Sequence, residues 1–324
     1  MDIEFKMNPY HFFDSKILEL KNNFSVTYEW KVILAERMKS FPDYSFIVTS
    51  NDEGFLHTDF LTGWGFNDTD IRVHFDNSMP KKIYWINIQK GEKETHFSFD
   101  ESINLIHESL VVNTTKGITH LKFKSNAVYT NIIQNISNEV FHQYLIFKNF
   151  DKTSCYFLQK STDAKNKVNQ KHFLSQEKAE SNIFILNKVQ EKQLRDDFVE
   201  FEHSYSFTKS QLKYFSINGG KAVSQVNSFI PSDVVDCETH QHIKHILIND
   251  KAQSYSKPNL MIRNPNVIAS HGNSIGSYGD EEIFYLMQRG IDLNNARKII
   301  QNGIIDKALE SHPDYEIVKG YFNE

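Results

Sequence analysis

The chain has 324 residues, a formal net charge of −5 and 24% charged side chains, the balance of an ordinary globular protein. Its 36 basic and 41 acidic side chains are spread along the chain, so no clustered basic face indicates nucleic-acid binding. No run reaches the roughly 18 apolar residues of a membrane-spanning helix. The N-terminal MDIEFKMNPYHFF also lacks the basic and apolar regions of a signal peptide, so the sequence predicts a cytoplasmic protein.

The chain contains two cysteines, Cys155 and Cys237, which excludes a disulfide framework. A self-contained metal–sulfur cluster would need about four thiolates. We therefore expect no stably bound cofactor. Any metal or cluster would be transient, shared with a partner, or held partly by some of the 14 histidines.

The first predicted element is a helix near the N-terminus. The segment TYEWKVILAERMKSFP places Trp30, Ile33, Leu34 and Met38 at helical spacing, and Pro42 then stops the helix. This pattern predicts a helical N-terminal part over residues 1–45.

The middle of the chain is rich in strands. No proline occurs between Pro80 and Pro231, and no glycine between Gly117 and Gly219, so tight hairpin turns are absent from this stretch. Short alternating runs joined by wide bends favour a β-solenoid over a sandwich. We assign residues 46–268 to this core, with a loop at the charged stretch DAKNKVNQKH (163–172). The predicted strands are 81–89, 109–115, 120–125, 141–147, 154–161 and 181–189.

Two helices are predicted at the C-terminal end. The first starts at Asp280 with Glu281 and Glu282 in its first turn, has an apolar face, and stops at Arg289-Gly290. Its apolar face comprises Ile283, Phe284, Leu286 and Met287. The second, DLNNARKIIQNGIIDKALE, has an apolar face of Ala296, Ile299, Ile300, Ile304 and Leu309.

The C-terminal third also carries a family resemblance. The segments KPNLMI (257–262), ASHGNSIGSYGDEEIFYLMQRGI (269–291) and ARKII (296–300) resemble the ending of SufB and SufD proteins of iron–sulfur cluster assembly. Upstream of residue 220 the similarity is limited to strand-rich character and length. Where SufB proteins carry a cysteine this chain has Ile243, and Gly272 replaces the glutamate after His271, so the resemblance is closer to SufD.

The resemblance implies a right-handed parallel β-helix with small helical ends, and no enzymatic activity of its own. It implies a scaffold that pairs with a SufB-type chain, or with itself. It also implies that a SufC-type ABC ATPase docks on the C-terminal part, residues 269–324. The residues expected to bind that ATPase are Asp280, Glu281, Glu282, Phe284, Tyr285 and Arg289.

The candidate metal or nascent-cluster residues are His271, Cys237, His240, His242 and His245. The resemblance implies the role of His271, which we expect to lie between a strand and a glycine-rich turn. On a regular strand His240 and His242 face one side, whereas Cys237 and His245 face the other. Thiolate and imidazole ligands suit zinc or iron, although the spacing matches no closed structural site. An interfacial histidine strand explains the same residues without a metal.

Two alternatives remain open from the sequence. One is a metal-dependent, cupin-like enzyme that uses His240, His242 and His271. The other is a structural relative of SufB and SufD that lacks a cluster site. No hydrolase, zincin, P-loop or dinucleotide-binding motif occurs, so neither catalysis nor nucleotide binding is indicated. Cys155, in the apolar run SCYFLQ, is expected to be a buried small hydrophobe.

Overall fold

The computed structural model describes residues 36–50, 55–58, 64–66, 70–75, 80–89, 91, 94–112, 114–135, 139–159, 165–277, 280–315 and 319. The chain divides into two compact units, Met1–Tyr44 and Ser45–Glu324. In the first, residues 36–40 are helical. Most of the predicted N-terminal helix, including Trp30, Ile33 and Leu34, lies outside the described residues.

The second unit is built from two parallel sheets whose strands alternate along the chain from β4 onwards. Sheet A contains β1 (Ser45–Ser50), β2 (Phe55–Thr58), β5 (Lys82–Gln89), β7 (Ile103–Val111), β9 (Ala127–Asn135), β11 (Lys152–Gln159), β13 (Glu180–Val189), β15 (Lys209–Asn218), β17 (Cys237–Leu247) and β19 (Val267–Ser277). Sheet B contains β3 (Trp64–Phe66), β4 (Asp70–Phe75), β6 (Glu94–Phe99), β8 (Lys116–Phe123), β10 (Val140–Asn149), β12 (Lys165–Leu174), β14 (Leu194–His203), β16 (Lys221–Ile230) and β18 (Gln253–Ile262).

From β4 onwards each coil contributes one strand to each sheet, and each strand up to β17 pairs in parallel with the strand two positions later. At the start of sheet A, β1 pairs in parallel with β5. Among the described pairings, only β1–β2 and β3–β4 are antiparallel. This arrangement confirms the predicted parallel β-solenoid. Most predicted strands are also confirmed, within a few residues at their ends.

The core lies between the two sheets, where inward side chains stack from coil to coil. Phe99 stacks on Phe123 with ring centroids 5.3 Å apart, and Phe147 stacks on His172 at 4.2 Å. Alternation along each strand creates this core, because successive side chains point to opposite faces. The burial pattern of β14 alternates through all ten residues.

Two predictions about the strands are wrong. The charged stretch predicted as a loop contains strand β12, whose inward positions include the polar residues Asn166, Gln170 and His172. Because three of its five inward positions and most of its outward positions are polar, its sequence shows little hydrophobic alternation. Gly272 and Gly276, expected in a tight turn, lie within β19, which continues to Ser277, past the expected core boundary at residue 268.

Two helices follow β19, α1 (Asp280–Gln288) and α2 (Leu293–Leu309). As predicted, α1 ends at Arg289-Gly290, and Gly290 has a φ of 83°, which glycine adopts without strain. The Asp292 side chain caps α2 by accepting hydrogen bonds from the backbone amides of Asn294 and Asn295.

Helix α2 packs on the outer face of sheet A. Ile305 and Leu309 are buried there against Tyr156, Leu158 and Ile217. The predicted apolar face is wrong at Ile299, which is 48% exposed, and it omits Ile305, which is buried. Beyond the helix the Tyr156 hydroxyl donates to the Ser311 carbonyl oxygen at 3.0 Å. These contacts place the C-terminal helix in the same unit as the solenoid.

Candidate functional site

The predicted metal residues lie on the two final strands of sheet A, and they are split between two faces. On β17, Cys237 and His245 point inward and are buried, whereas His240 and His242 point outward. This division agrees with the alternation expected from the sequence. His271 on β19 is in register with the inward residue Gln241. His271 is therefore on the inner side, opposite His240 and His242.

Cys237 lies in a closed environment. Its thiol is 3.4 Å from the Thr208 hydroxyl and 3.5 Å from the Tyr205 carbonyl oxygen, and the residue is 1% exposed. His245 is equally buried, and its Nε2 is 2.8 Å from the Ser224 hydroxyl. Burial lowers the pKa of His245 to about 4, so this imidazole is neutral at pH 7.

Cys237 and His245 cannot share one metal ion. Eight residues of extended strand separate them, which corresponds to about 26 Å. Direct contact of either side chain with a cluster would also require the end of the solenoid to open. The 237–245 strand therefore does not bring its cysteine and three histidines to one metal ion, and the part that each of them plays at a cluster stays a prediction.

The outward histidines interact with the neighbouring strands. The Nδ1 of His240 is 2.7 Å from the Ser270 hydroxyl, and its Nε2 is 2.9 Å from Glu238 Oε1. The bond from His240, followed by the bond from Lys209, lowers the pKa of Glu238. The His242 ring lies 6.1 Å from the ring of Phe215. These contacts are typical of a polar outer face near a strand edge.

The histidine geometry argues against the cupin-like alternative. That hypothesis needs His240, His242 and His271 around one ion, yet His271 is on the other side of the sheet. Cys155 is fully buried, and burial raises the pKa of its thiol well above the usual range, as expected of a core residue.

The expected ATPase-binding residues lie on α1, except for Arg289, which directly follows the helix. The side chains of Phe284, Tyr285 and Met287 are 62%, 53% and 46% exposed, and Glu281 and Glu282 are also exposed. Of the predicted apolar face, Ile283 and Leu286 are half-buried, whereas Phe284 and Met287 are exposed. The Arg289 guanidinium lies over the Tyr285 ring, 4.3 Å from its centroid.

The comparisons with known proteins agree with this architecture. The family model for the SufBD core domain of SUF-system FeS cluster assembly matches residues 92–304. The chain belongs to the SufBD family. The matched range begins far upstream of residue 220, so the similarity to the family is broader than the sequence motifs alone indicate.

The relatives that the chain matches include two proteins named for iron–sulfur cluster assembly and one named ABCI7. The iron-sulfur cluster assembly protein SufD of Plasmodium falciparum is 25% identical over 76% of this chain and 17% of its own length. Protein ABCI7, chloroplastic, of Arabidopsis thaliana is 30% identical over 31% of this chain and 21% of its own length. An iron-sulfur cluster assembly SufBD family protein of Archaeoglobus fulgidus is 30% identical over 30% of this chain and 26% of its own length.

The chain thus spans about a quarter or less of the length of these relatives. Its similarity to proteins named SufD supports the SufD-like assignment within the family. No helix among the described residues is long and apolar enough to cross a membrane. The cytoplasmic location stays a prediction, since one relative is named as chloroplastic.

Proposed function

We propose that this chain is a SufD-like scaffold subunit of a SUF iron–sulfur cluster assembly complex. In this proposal its last coil, defined as β18 and β19, pairs with a SufB-type chain, and α1 docks a SufC-type ATPase. The cluster is transient cargo at the subunit interface, and the ATPase supplies the nucleotide chemistry. The observation that carries the proposal is the open last coil.

The last coil ends both sheets of the described structure. The strand order terminates at β19 in sheet A and at β18 in sheet B. An edge strand presents a row of backbone donors and acceptors that can pair with another chain. The two edges are 11 and 10 residues long, which suits pairing with another solenoid.

Apolar side chains accompany these edges. On β19, Ile268 and Ile275 are 64% and 44% exposed, and on β18 Tyr255 and Met261 are exposed as well. Such residues on a strand edge favour protein association, because a partner removes their surface from water. His271 lies on the same strand, so it would face the partner.

In the proposal His271 contributes an imidazole to the nascent cluster, and the partner contributes the main thiolate. His240 and His242 lie on the outer face beside the edge, where they can contact the partner. The burial of Cys237 and His245 limits them to positions behind the interface.

Helix α1 supports the docking of a second partner. Its exposed Phe284 and Tyr285 form an aromatic surface, and Arg289 and the glutamates add charge around it. Amphipathic helices of this kind bind in a partner's groove. ATP hydrolysis by two docked subunits would then shift the population of open and closed interfaces.

Co-purification tests both surfaces. We expect this chain, expressed with SufB-type and SufC-type proteins of the same organism, to form a three-component complex. The double variant Phe284→Ala/Tyr285→Ala should lose the ATPase but retain the SufB-type chain. Ile268→Lys/Ile275→Lys should lose the SufB-type chain.

A matched control is Tyr205→Ala, which alters an aromatic residue of similar exposure, 47%, in a loop. It should leave the complex intact. Recovery of a second copy of this chain in place of a SufB-type chain would mean that the last coil forms a homodimer. Recovery of this chain without any of these partners would contradict the proposal.

The role of His271 needs a separate experiment. We expect His271→Ala to lower the iron and sulfide content of the purified complex without changing its subunit composition. An unchanged iron content would contradict this role and favour a structural subunit that lacks a cluster site.

A further inference from the structure

A second group of histidines lies on the outer face of sheet B, near the opposite end of the solenoid from the last coil. Glu94 and His96 are two residues apart on β6 and therefore share a face. His120 on β8 is in register with His96. The parallel pairing of β6 and β8 thus brings three ligand-forming side chains together from two consecutive coils.

The three side chains converge on one point. Glu94 Oε2 is 3.1 Å from the Nε2 of His120 and 3.6 Å from the Nε2 of His96. One ligand atom from each residue lies within 4.8 Å of the others. The two imidazole rings are nearly parallel, with centroids 4.1 Å apart. In the part of the chain that the structure describes, no second group of three histidine, cysteine or carboxylate side chains lies this close together.

We propose that Glu94, His96 and His120 bind one divalent transition-metal ion, with zinc as the probe. Zinc–nitrogen bonds of about 2.0–2.1 Å in a tetrahedron place neighbouring ligand atoms roughly 3.3 Å apart, close to the two carboxylate–imidazole separations here. Two imidazoles with one carboxylate are a ligand set that zinc and non-haem iron accept while keeping further positions open.

The surroundings also suit a metal ion. The side chains of Glu94, His96 and His120 are 41%, 30% and 31% exposed, so water can fill the remaining coordination positions. Regular strands hold all three residues, which fixes the ligand atoms more firmly than a loop would. A bound ion would cross-link two coils and should raise the temperature of unfolding.

The proposal is independent of the proposed function. β6 and β8 lie towards the β3 end of sheet B, whereas β18 forms its other end. The site cannot be recognised from residue spacing in the sequence, because Glu94 and His120 are 26 residues apart and come together only when consecutive coils stack.

Zinc titration of the chelator-treated full chain by calorimetry tests the site. To remove competition from the histidines of β17 and β19, the background carries His240→Gln, His242→Gln and His271→Gln. We expect one equivalent of zinc to bind and to raise the unfolding temperature. Glu94→Gln, His96→Gln and His120→Gln should each weaken zinc binding by more than about tenfold, since even the loss of a residue that only hydrogen-bonds a metal ligand reaches that size.

The matched control is His142→Gln, because His142 is a half-buried outward residue on β10 of the same sheet. It should leave zinc binding unchanged. A background chain that binds no stoichiometric zinc, or binding that survives all three cluster substitutions, would overturn the proposal. Equal loss in the His142 variant would do the same.

A second measurement does not depend on the folding of any variant. Zinc should protect His96 and His120 of the unsubstituted chain from diethyl pyrocarbonate, as measured by mass spectrometry, and should leave His142 reactive. Equal modification of His96 and His120 with and without zinc would contradict the site.

Discussion

The covered coils, defined as β8 through β17, and the last coil have the same alternation of inward and outward side chains. Their inward side chains are buried to different extents. Inward residues of β16, such as Val226 and Ile230, are fully buried. Their register partners one coil later, Pro258 and Ile262, are half-buried. The difference arises because another coil covers β16, whereas β18 ends its sheet.

The comparison shows that exposure in a solenoid depends on position in the stack as well as on residue type. Ile243 on β17 is fully buried, while Ile275 on the next strand of sheet A is 44% exposed. Neither strand pattern alone distinguishes these two isoleucines. An end with apolar inward residues and two open strand edges therefore has the properties of an interface.

The largest expected effect comes from breaking the buried ion pair of the covered coils. On β14 the Arg195 Nε donates to Asp197 Oδ1 at 2.8 Å, and Asp197 also accepts from the Tyr214 hydroxyl. Asp197→Asn removes the carboxylate that pairs with this buried guanidinium. We expect a loss of about 3–5 kcal/mol in the free energy of unfolding, measured in urea.

The control for that substitution is Lys251→Ala, which removes an exposed ion pair with Glu191. It should change stability little, because solvent screens such pairs. A small effect of Asp197→Asn would mean that the interior of the covered coils admits water at this point.

The two isoleucines give a direct comparison of the regions. Ile243→Ala should lower the free energy of unfolding by about 2–5 kcal/mol, because it leaves a cavity in the core. Ile275→Ala in the isolated chain should change it by no more than about 0.5 kcal/mol. Equal losses in urea-induced unfolding would contradict the distinction between covered and open coils.

Acid should destabilise the solenoid through its buried histidines. Burial lowers the pKa of His107 and of His172 to about 3. Because the unfolded chain takes up these protons near pH 6.5, the stabilisation is complete above that pH and decreases as pH falls towards 3. Each such histidine adds a slope of about 1.4 kcal/mol per pH unit between these values.

His172→Gln should remove the contribution of one buried histidine to the slope of the unfolding free energy against pH. The measurement is the free energy of unfolding at pH 6.5, 6.0 and 5.5, compared with that of the unsubstituted chain. The same slope in both proteins would show that His172 is accessible to protons in the folded state.

The sequence predicts much of the fold, because the strands with apolar inward faces show clear alternation. It fails at β12, where Asn166, Gln170 and His172 point inward and remove the hydrophobic signal. The coil period is also irregular. Register partners are 29 residues apart at Ser210–Thr239 and 32 apart at Ser224–Ser256, so no repeat is visible.

The candidate site is predictable only in part. Alternation correctly separates Cys237 and His245 from His240 and His242. The position of His271 within a strand, and the burial of Cys237, depend on how the coils stack. The cluster of Glu94, His96 and His120 depends on coil length in the same way.

The central claim is that the last coil is the surface that a SufB-type partner covers. Hydrogen exchange with mass spectrometry, on the chain alone and in the co-purified complex, tests it most directly. We predict that peptides covering residues 253–277 gain protection in the complex, while those of β14 and β16 exchange equally in both states. A complex that forms without any added protection at residues 253–277 would contradict the account.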